Sequence, residues 1–183
     1  RLAEALARAG DGAAERVFAA AGLLGHLAQP PDKMVPDDDV ARLHEALRRE
    51  FGCRRAADVA DQAGRLTADY LLANRIPVLA QRILRLLPAP LALALLLKAI
   101  GRHAWTFAGR GRFGWRREGR TFILSLAGGP VSRDTTAESP VCAYYAATFE
   151  RLFQVILRRP VAVIETACEA TGAPACEFTV LLV

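Results

Sequence analysis

Lysine is nearly missing from this sequence: Lys33 and Lys98 are the only two among 24 basic residues, so the formal charge of +5 is carried by arginine. The pairs Arg48–Arg49, Arg54–Arg55, Arg116–Arg117 and Arg158–Arg159 are dispersed and interleaved with acids. That pattern reads as solvated faces, with attraction to an anionic ligand or an anionic membrane surface as the alternative. No recognised nucleic-acid-binding motif accompanies the charge, so no nucleic-acid partner is expected. A long apolar run is missing too. The longest, Pro88–Ile100, has 13 residues and ends around Lys98, which is too short to span a bilayer. The chain opens at Arg1 with no stretch that reads as a secretory signal. Four cysteines without such a signal read as reduced thiols or metal ligands rather than disulfides. The expected location is the cytoplasm.

What remains is an ordinary globular composition. The chain has 183 residues, 52% of them apolar, and a mean hydropathy of +0.18. That is enough for one domain with a real core. Residues 1–9 and 13–28 carry alanine- and leucine-rich helical patterns. Gln29–Asp39 is a loop ending in an aspartate run that favours a helix start, and Val40–Phe51 follows with helical spacing until Gly52 stops it. Arg55–Asn74 is helical, with Val59, Ala63, Leu66, Tyr70 and Ala73 on one stripe. Pro77 opens a helix over Val78–Leu87, Pro88 and Pro90 break it, and Leu91–Gly101 resumes.

Period two then takes over. His103–Ala108, Gly111–Glu118 and Thr121–Leu126 are expected as antiparallel strands, with Glu118–Gly119 marking a turn. Ser139–Pro140 reads as a helix start, and the helix runs to about Leu157. Val161–Ala167 and Cys176–Val183 are two further strands around the turn at 169–174. The fold class is therefore α+β: an N-terminal helical region, 1–74, and a small antiparallel sheet with packed helices over 75–183, expected to form one compact unit.

Three of the four cysteines sit near the C-terminus with a carboxylate on an otherwise apolar strand: Cys142, Glu165, Cys168 and Cys176. Three thiolates and one carboxylate make a tetrahedral set for Zn²⁺. Cys142 is expected in the first turn of its helix, where the macrodipole favours a thiolate. Glu165 and Cys168 flank a strand end and Cys176 begins the next strand, so such a site would pin the helix to the hairpin. Four protein ligands leave no place for water, which makes the role structural. The alternative is that the cysteines are small core residues and Glu165 pairs with an arginine.

The spacing Cys142–x22–Glu165–x2–Cys168–x7–Cys176, with Pro140 before the first cysteine and Phe178 after the last, resembles the 4-vinyl reductase domain family. The resemblance implies a structural zinc on these four residues, a fold similar to small transport-particle (TRAPP) subunits, and a homodimer. The stretches AAGLLGHLAQPPDKMVP at 20–36 and ADVADQAGRLTADYLLANRIP at 57–77 resemble the bacteriochlorophyll-biosynthesis branch of that family, the BchJ-type proteins. That branch implies a chlorophyll-precursor ligand, divinyl protochlorophyllide or a close Mg-tetrapyrrole, other enzymes of that pathway as partners, and peripheral contact with the photosynthetic membrane.

Carrier and enzyme remain open at this point. A divinyl protochlorophyllide 8-vinyl reductase would need NADPH, and the one dinucleotide-like string is GRGRFG at 109–114. A fingerprint of that kind needs a strand before it and a helix after it, whereas TrpArgArgGluGlyArgThrPheIleLeu follows and reads as a hairpin. No flavin motif is evident, and the zinc set leaves only Cys53 towards an iron–sulfur cluster. Binding and delivery of the pigment is the leading expectation, an 8-vinyl reductase the first alternative, a sensor of small aromatic ligands the second, and a scaffold for pathway enzymes the third. A flat, largely apolar tetrapyrrole wants an aromatic cleft and a cation for its carboxylate. The candidates are Trp105, Phe107, Phe113, Trp115, Tyr144 and Tyr145, with Arg112 for the carboxylate and His103 as an axial ligand. Each has core packing or simple exposure as its plainer reading.

Overall fold

Three aspartates in a row, Asp37, Asp38 and Asp39, fill the first turn of the longest helix, where free N–H groups and the macrodipole favour negative charge. A computed structural model describes all of residues 1–183. It contains the helices α1 (Leu2–Ala9), α2 (Ala13–Ala20), α3 (Gly25–Ala28), α4 (Asp37–Asn74), α5 (Val78–Leu86), α6 (Ala89–Arg102) and α7 (Trp105–Ala108), then strands β1 (Arg112–Glu118) and β2 (Thr121–Ala127), helix α8 (Ala143–Leu157), and strands β3 (Val161–Ala167) and β4 (Cys176–Leu182). Gly52, at φ 72° and ψ 165°, interrupts α4 rather than ending it, so two helical stretches meet at a kink. Only a residue without a Cβ adopts that backbone cheaply.

The four strands form one antiparallel sheet in the order β1-β2-β4-β3. Phe122, Leu124 and Leu126 of β2 and Phe178 and Val180 of β4 are all buried, and they alternate with half-exposed neighbours as a one-faced sheet requires. They meet Phe149, Leu152, Phe153 and Ile156 of α8 in the larger of two cores. The smaller core joins α1, α2 and the upper part of α4 through Leu6, Val17, Phe18, Leu47 and Val59. α4 serves both cores, Ala63 in one and Ala68 in the other.

Small residues let α4 lie close against α8. A Cβ on Gly64 would run into the backbone carbonyl of Tyr144 and come within 3.0 Å of the Ala147 Cβ. Thr148 Oγ1 donates to the Gly64 carbonyl at 3.2 Å across the same contact.

Two sequence expectations need correction. His103–Ala108 is not a strand. His103 ends α6, its Nδ1 lying 2.9 Å from the Ala99 carbonyl, and Trp105–Ala108 is a single helical turn. The reversal into the sheet happens later, at Gly109, with φ 58°, where a Cβ would sit 2.6 Å from that of Asp37. A segment this short holds too few residues to separate period two from one helical turn. The helix expected from Ser139–Pro140 begins at Ala143, with Cys142 as its N-cap. The Cys142 N–H is taken by the Glu165 carboxylate at 2.8 Å, so a distant side chain rather than Ser139 fixes the start.

Two outcomes are expected here. Gly64→Ala should lower stability, because overpacking against backbone costs about 1–3 kcal/mol while the helix gains at most about 1 kcal/mol from the exchange; denaturant unfolding measures the net loss. His44, 4% exposed on α4, is held down to about 3 by burial, with Arg48 adding repulsion. The folded state thus refuses a proton that the unfolded chain takes up near pH 6.5. Stability should be unaffected above that pH and fall below it by about 1.4 kcal/mol per pH unit, until the folded pKa is reached. The slope between pH 6.5 and 5 should flatten in His44→Asn.

Candidate metal centre

Glu165 occupies a core-facing position of β3, in line with the buried Val161 and Val163, where an apolar residue would be ordinary. A bulge follows at once: Glu165 pairs with Phe178 and Ala167 with Glu177, leaving Thr166 as the extra residue. Bulges bend a strand and re-aim side chains. Cys168 lies just beyond the strand end and caps a 3-10 turn over Glu169–Thr171, while Cys176 is the first, core-facing residue of β4. Cys142 approaches from the α8 N-terminus. All three cysteines are fully buried.

The four ligand atoms lie within 4.8 Å of one another. Cys176 Sγ is 3.5 Å from Cys142 Sγ and 3.7 Å from Cys168 Sγ. A tetrahedral ion with metal–sulfur bonds near 2.3 Å sets sulfurs about 3.8 Å apart, so the spacing suits such an ion. Glu165 Oε2 accepts the Cys142 N–H, while its Oε1 is buried with no hydrogen-bond partner. A buried carboxylate oxygen left unpaired is costly, and a cation among the thiols relieves it. These two observations show that the residues present fit a metal ion.

The charges agree. Burial, together with the Cys168 thiol, pushes the Glu165 carboxyl up to about 8. Cys142 is pushed far up by its contacts with the Cys168 and Cys176 thiols and by burial. Cys176 is pulled down to about 4 by hydrogen bonds from the other two thiols. Without a cation, one negative charge settles on Cys176, and Cys142 and Glu165 keep their protons. The thiolate therefore falls on Cys176 and not on Cys142, where the helix dipole was expected to favour it: crowding with like groups outweighs a partial charge at the helix end.

Two supporting residues escaped the sequence reading. Glu169 donates its backbone N–H to Cys176 Sγ at 3.4 Å, and its carboxylate accepts from Ser132 Oγ at 2.8 Å and from the Gly128 N–H at 2.7 Å. Ser132 Oγ also lies 3.4 Å from Cys176 Sγ. Glu169 follows Cys168 directly, which is a usable signal, but nothing in the sequence points to Ser132.

The aromatic candidates divide. Phe107 and Phe113 stand 5.5 Å apart, centroid to centroid, and Phe107 is 6.2 Å from Tyr145. Tyr145 is buried and donates to the Phe107 carbonyl at 2.9 Å. Tyr144 meets His44 edge-on and lies 3.0 Å from Thr67 Oγ1 through its hydroxyl. These four pack on one another and on the protein core, so the structure gathers them without opening a cleft between them. Phe113 and Trp115 share a face of β1, as their parity implied, opposite Leu126 and Leu124. Trp105 is 63% exposed and does not share a strand with Phe107. His103 and Arg112 are exposed. Of the other two histidines, His44 is buried and His26 lies on α3. The GRGRFG string turns at Gly109 and runs into β1, so it does not precede a helix.

Comparison with known proteins gives this geometry a family. The 4-vinyl reductase domain pattern matches residues 123–182, which hold β2, α8, β3 and β4 and all four candidate ligands. The chain is 45% identical over 172 residues to the bacteriochlorophyll synthase 23 kDa chain of Cereibacter sphaeroides, covering 94% of this chain and 82% of that one. The chain belongs to the bacteriochlorophyll synthase 23 kDa chain family. The protein of the same name from Rhodobacter capsulatus is 40% identical over 158 residues, 85% of this chain and 72% of that one. Among solved structures, the phenol-responsive sensory domain of the transcription activator PoxR, with phenol, shares the fold at a TM-score of 0.57 and 13% identity, over 81% of this chain and 75% of that one. The α+β architecture expected from the sequence is thus the family's architecture, with the quartet inside the matched domain.

Elemental analysis of purified protein is expected to find about one divalent metal ion per chain. Cys168→Ser should lose it and lower the thermal midpoint. Because the donors must shed protons to bind, the ion should be released on acidification, and a chromophoric chelator reports the release.

Proposed function

We propose that this protein binds a Mg-tetrapyrrole intermediate of bacteriochlorophyll biosynthesis, divinyl protochlorophyllide or a near relative, and delivers it to another enzyme of the pathway. The observation that carries this reading is identity of 45% over 94% of the chain to a protein named for bacteriochlorophyll synthesis. We further propose that the ion held by Cys142, Glu165, Cys168 and Cys176 is Zn²⁺, which takes both sulfur and oxygen donors. Bound there, it supplies cross-linking rather than reaction chemistry, since the four side chains complete its coordination. Cys142 anchors the start of α8, Cys168 and Cys176 the two arms of the hairpin, and Glu165 joins the two by also holding the Cys142 N–H.

For the pigment, the exposed residues are the first contacts. Trp105 and Trp115 offer ring faces, Arg112 a cation for a carboxylate, and His103 an imidazole for a central magnesium. Phe107, Phe113, Tyr144 and Tyr145 form the wall behind them. The Nδ1 of His103 is engaged by the Ala99 carbonyl at 2.9 Å, which leaves Nε2 for a ligand. Delivery is favoured over reduction because the one dinucleotide-like string opens a strand, where no helix N-terminus can hold a pyrophosphate. The protein acts as a homodimer in the cytoplasm, with peripheral contact at the photosynthetic membrane. No helix is long and apolar enough to cross a membrane.

Purified protein mixed with divinyl protochlorophyllide and NADPH should give a saturable shift of the Soret band with the extracted pigment unchanged. A monovinyl product would replace delivery by an 8-vinyl reductase. Binding of simple phenols without pigment binding would replace it by a sensor. Trp105→Ala should weaken pigment binding by about 1 kcal/mol or more, as the loss of one stacking face implies, and the titration measures it.

A further inference from the structure

The corner formed by α5 and α6 wears its apolar residues on the outside. α5 turns Gln81 and Leu84 inward, and Gln81 Nε2 donates to the carbonyls of Leu72 at 2.7 Å and Ile76 at 2.9 Å. Leu79, Ile83 and Leu86 form one stripe on the opposite side, and Leu79 is 69% and Leu86 85% exposed. α6 repeats the pattern: Ala92, Leu93, Leu96 and Leu97 are buried, yet Leu91 and Leu95 on the other face are exposed as well. The two helices pack on each other and both touch α8. A helix at a water surface normally turns polar residues outward, and a grouped apolar surface of this kind marks a place of interaction.

The charge around the corner is of one sign. Between Asp69 and Glu118 the sequence has no acidic residue and nine basic ones. Only Arg110 and Arg116 of these are ion-paired, both with acids outside the stretch. Where α6 begins, Pro90 and Leu182 share an open cleft of about 330 Å³ with Arg117, Arg120 and Arg159. Arg117 and Arg159 reach only backbone carbonyls, of Gly119 and Val183. Exposed leucines thus adjoin guanidinium groups that have no acid partner.

A second copy of this chain fits this surface poorly. A two-fold contact sets each patch against itself, so the unpaired arginines would face their own counterparts. An anionic bilayer satisfies both features, because leucines enter the boundary between headgroups and acyl chains while guanidinium groups pair with phosphates. We propose that the α5–α6 corner docks this protein onto an anionic lipid membrane, Leu79, Ile83 and Leu86 entering the interface and the Arg117–Arg120–Arg159 cleft receiving lipid phosphate. This makes the membrane contact of the functional reading specific to one face, and it requires neither pigment nor metal.

Flotation of the full chain with vesicles tests it. Capture is expected on phosphatidylcholine vesicles containing phosphatidylglycerol, little on pure phosphatidylcholine, and less on both as salt shortens the range of the attraction. Arg120→Glu should lower capture by about five-fold or more, and Leu86→Glu by about ten-fold. Both positions are exposed, so the thermal midpoints should match that of the parent. Equal capture on both vesicle types, or none on either, overturns the proposal. So does a dimer in solution that Leu86→Glu splits into monomers, which assigns the face to a second copy. The Soret titration of the same two variants in vesicle-free solution should be unchanged. Loss of vesicle capture with intact pigment binding, or the reverse, tells the failure of one reading from the failure of the other.

Discussion

One buried carboxylate organises the C-terminal half of this molecule. Glu165 stands where the alternation of β3 calls for an apolar side chain, and it spends one oxygen on the Cys142 N–H while the other has no partner in the protein. An arrangement of that kind is unfavourable by itself, since desolvation opposes the charge and nothing neutralises it. Three thiols gathered around it add to the strain as long as they are protonated or compete for one negative charge. A divalent cation turns each of these costs into an attraction. The start of α8, the bulge in β3 and the turn between β3 and β4 then hang on one point.

The rest of the fold brings those pieces to that point. The turn after Cys168 is held by Glu169, whose carboxylate gathers Ser132 and the Gly128 backbone from the long connection between β2 and α8. α8 is pressed onto the sheet by phenylalanines on its inner face and held from the other side by α4, whose alanines and Gly64 permit close approach. The N-terminal helices need not touch the cysteines to matter. They complete the small core that fixes α4, and α4 fixes α8.

The same architecture separates two kinds of surface. The face carrying Trp105, Trp115 and Arg112 is aromatic and basic, suited to a flat acidic pigment. The α5–α6 corner is aliphatic and basic, suited to lipid. Both draw on a long stretch of chain without acidic residues, and the core residues beneath both belong to a single cluster. A carrier that takes an apolar pigment from one membrane enzyme to another would use both faces, and their chemistry is laid down in adjacent segments.

Much of this was legible in the sequence, because spacing and residue type act locally. Strand Val161–Ala167, the helix ending at Leu157 and the break at Gly52 follow from periodicity and from glycine's backbone freedom. The quartet was legible because a carboxylate on an apolar strand is costly to bury, and cysteines beside it supply the remaining donors for a cation that offsets the cost. Failures came where local signals were short or where a remote group won. Four residues at Trp105–Ala108 could not distinguish one helical turn from a strand. Ser139 lost the helix start to a carboxylate that arrives from 23 residues away. Ser132 carried no signal at all, since its place beside Cys176 exists only once the connection is folded. The sequence by itself determined which donors are present and which segments are helix or strand. The tertiary structure alone decided which thiol bears the charge, which aromatics are sealed into the core and which leucines face outward, because each depends on the burial and neighbours that packing creates.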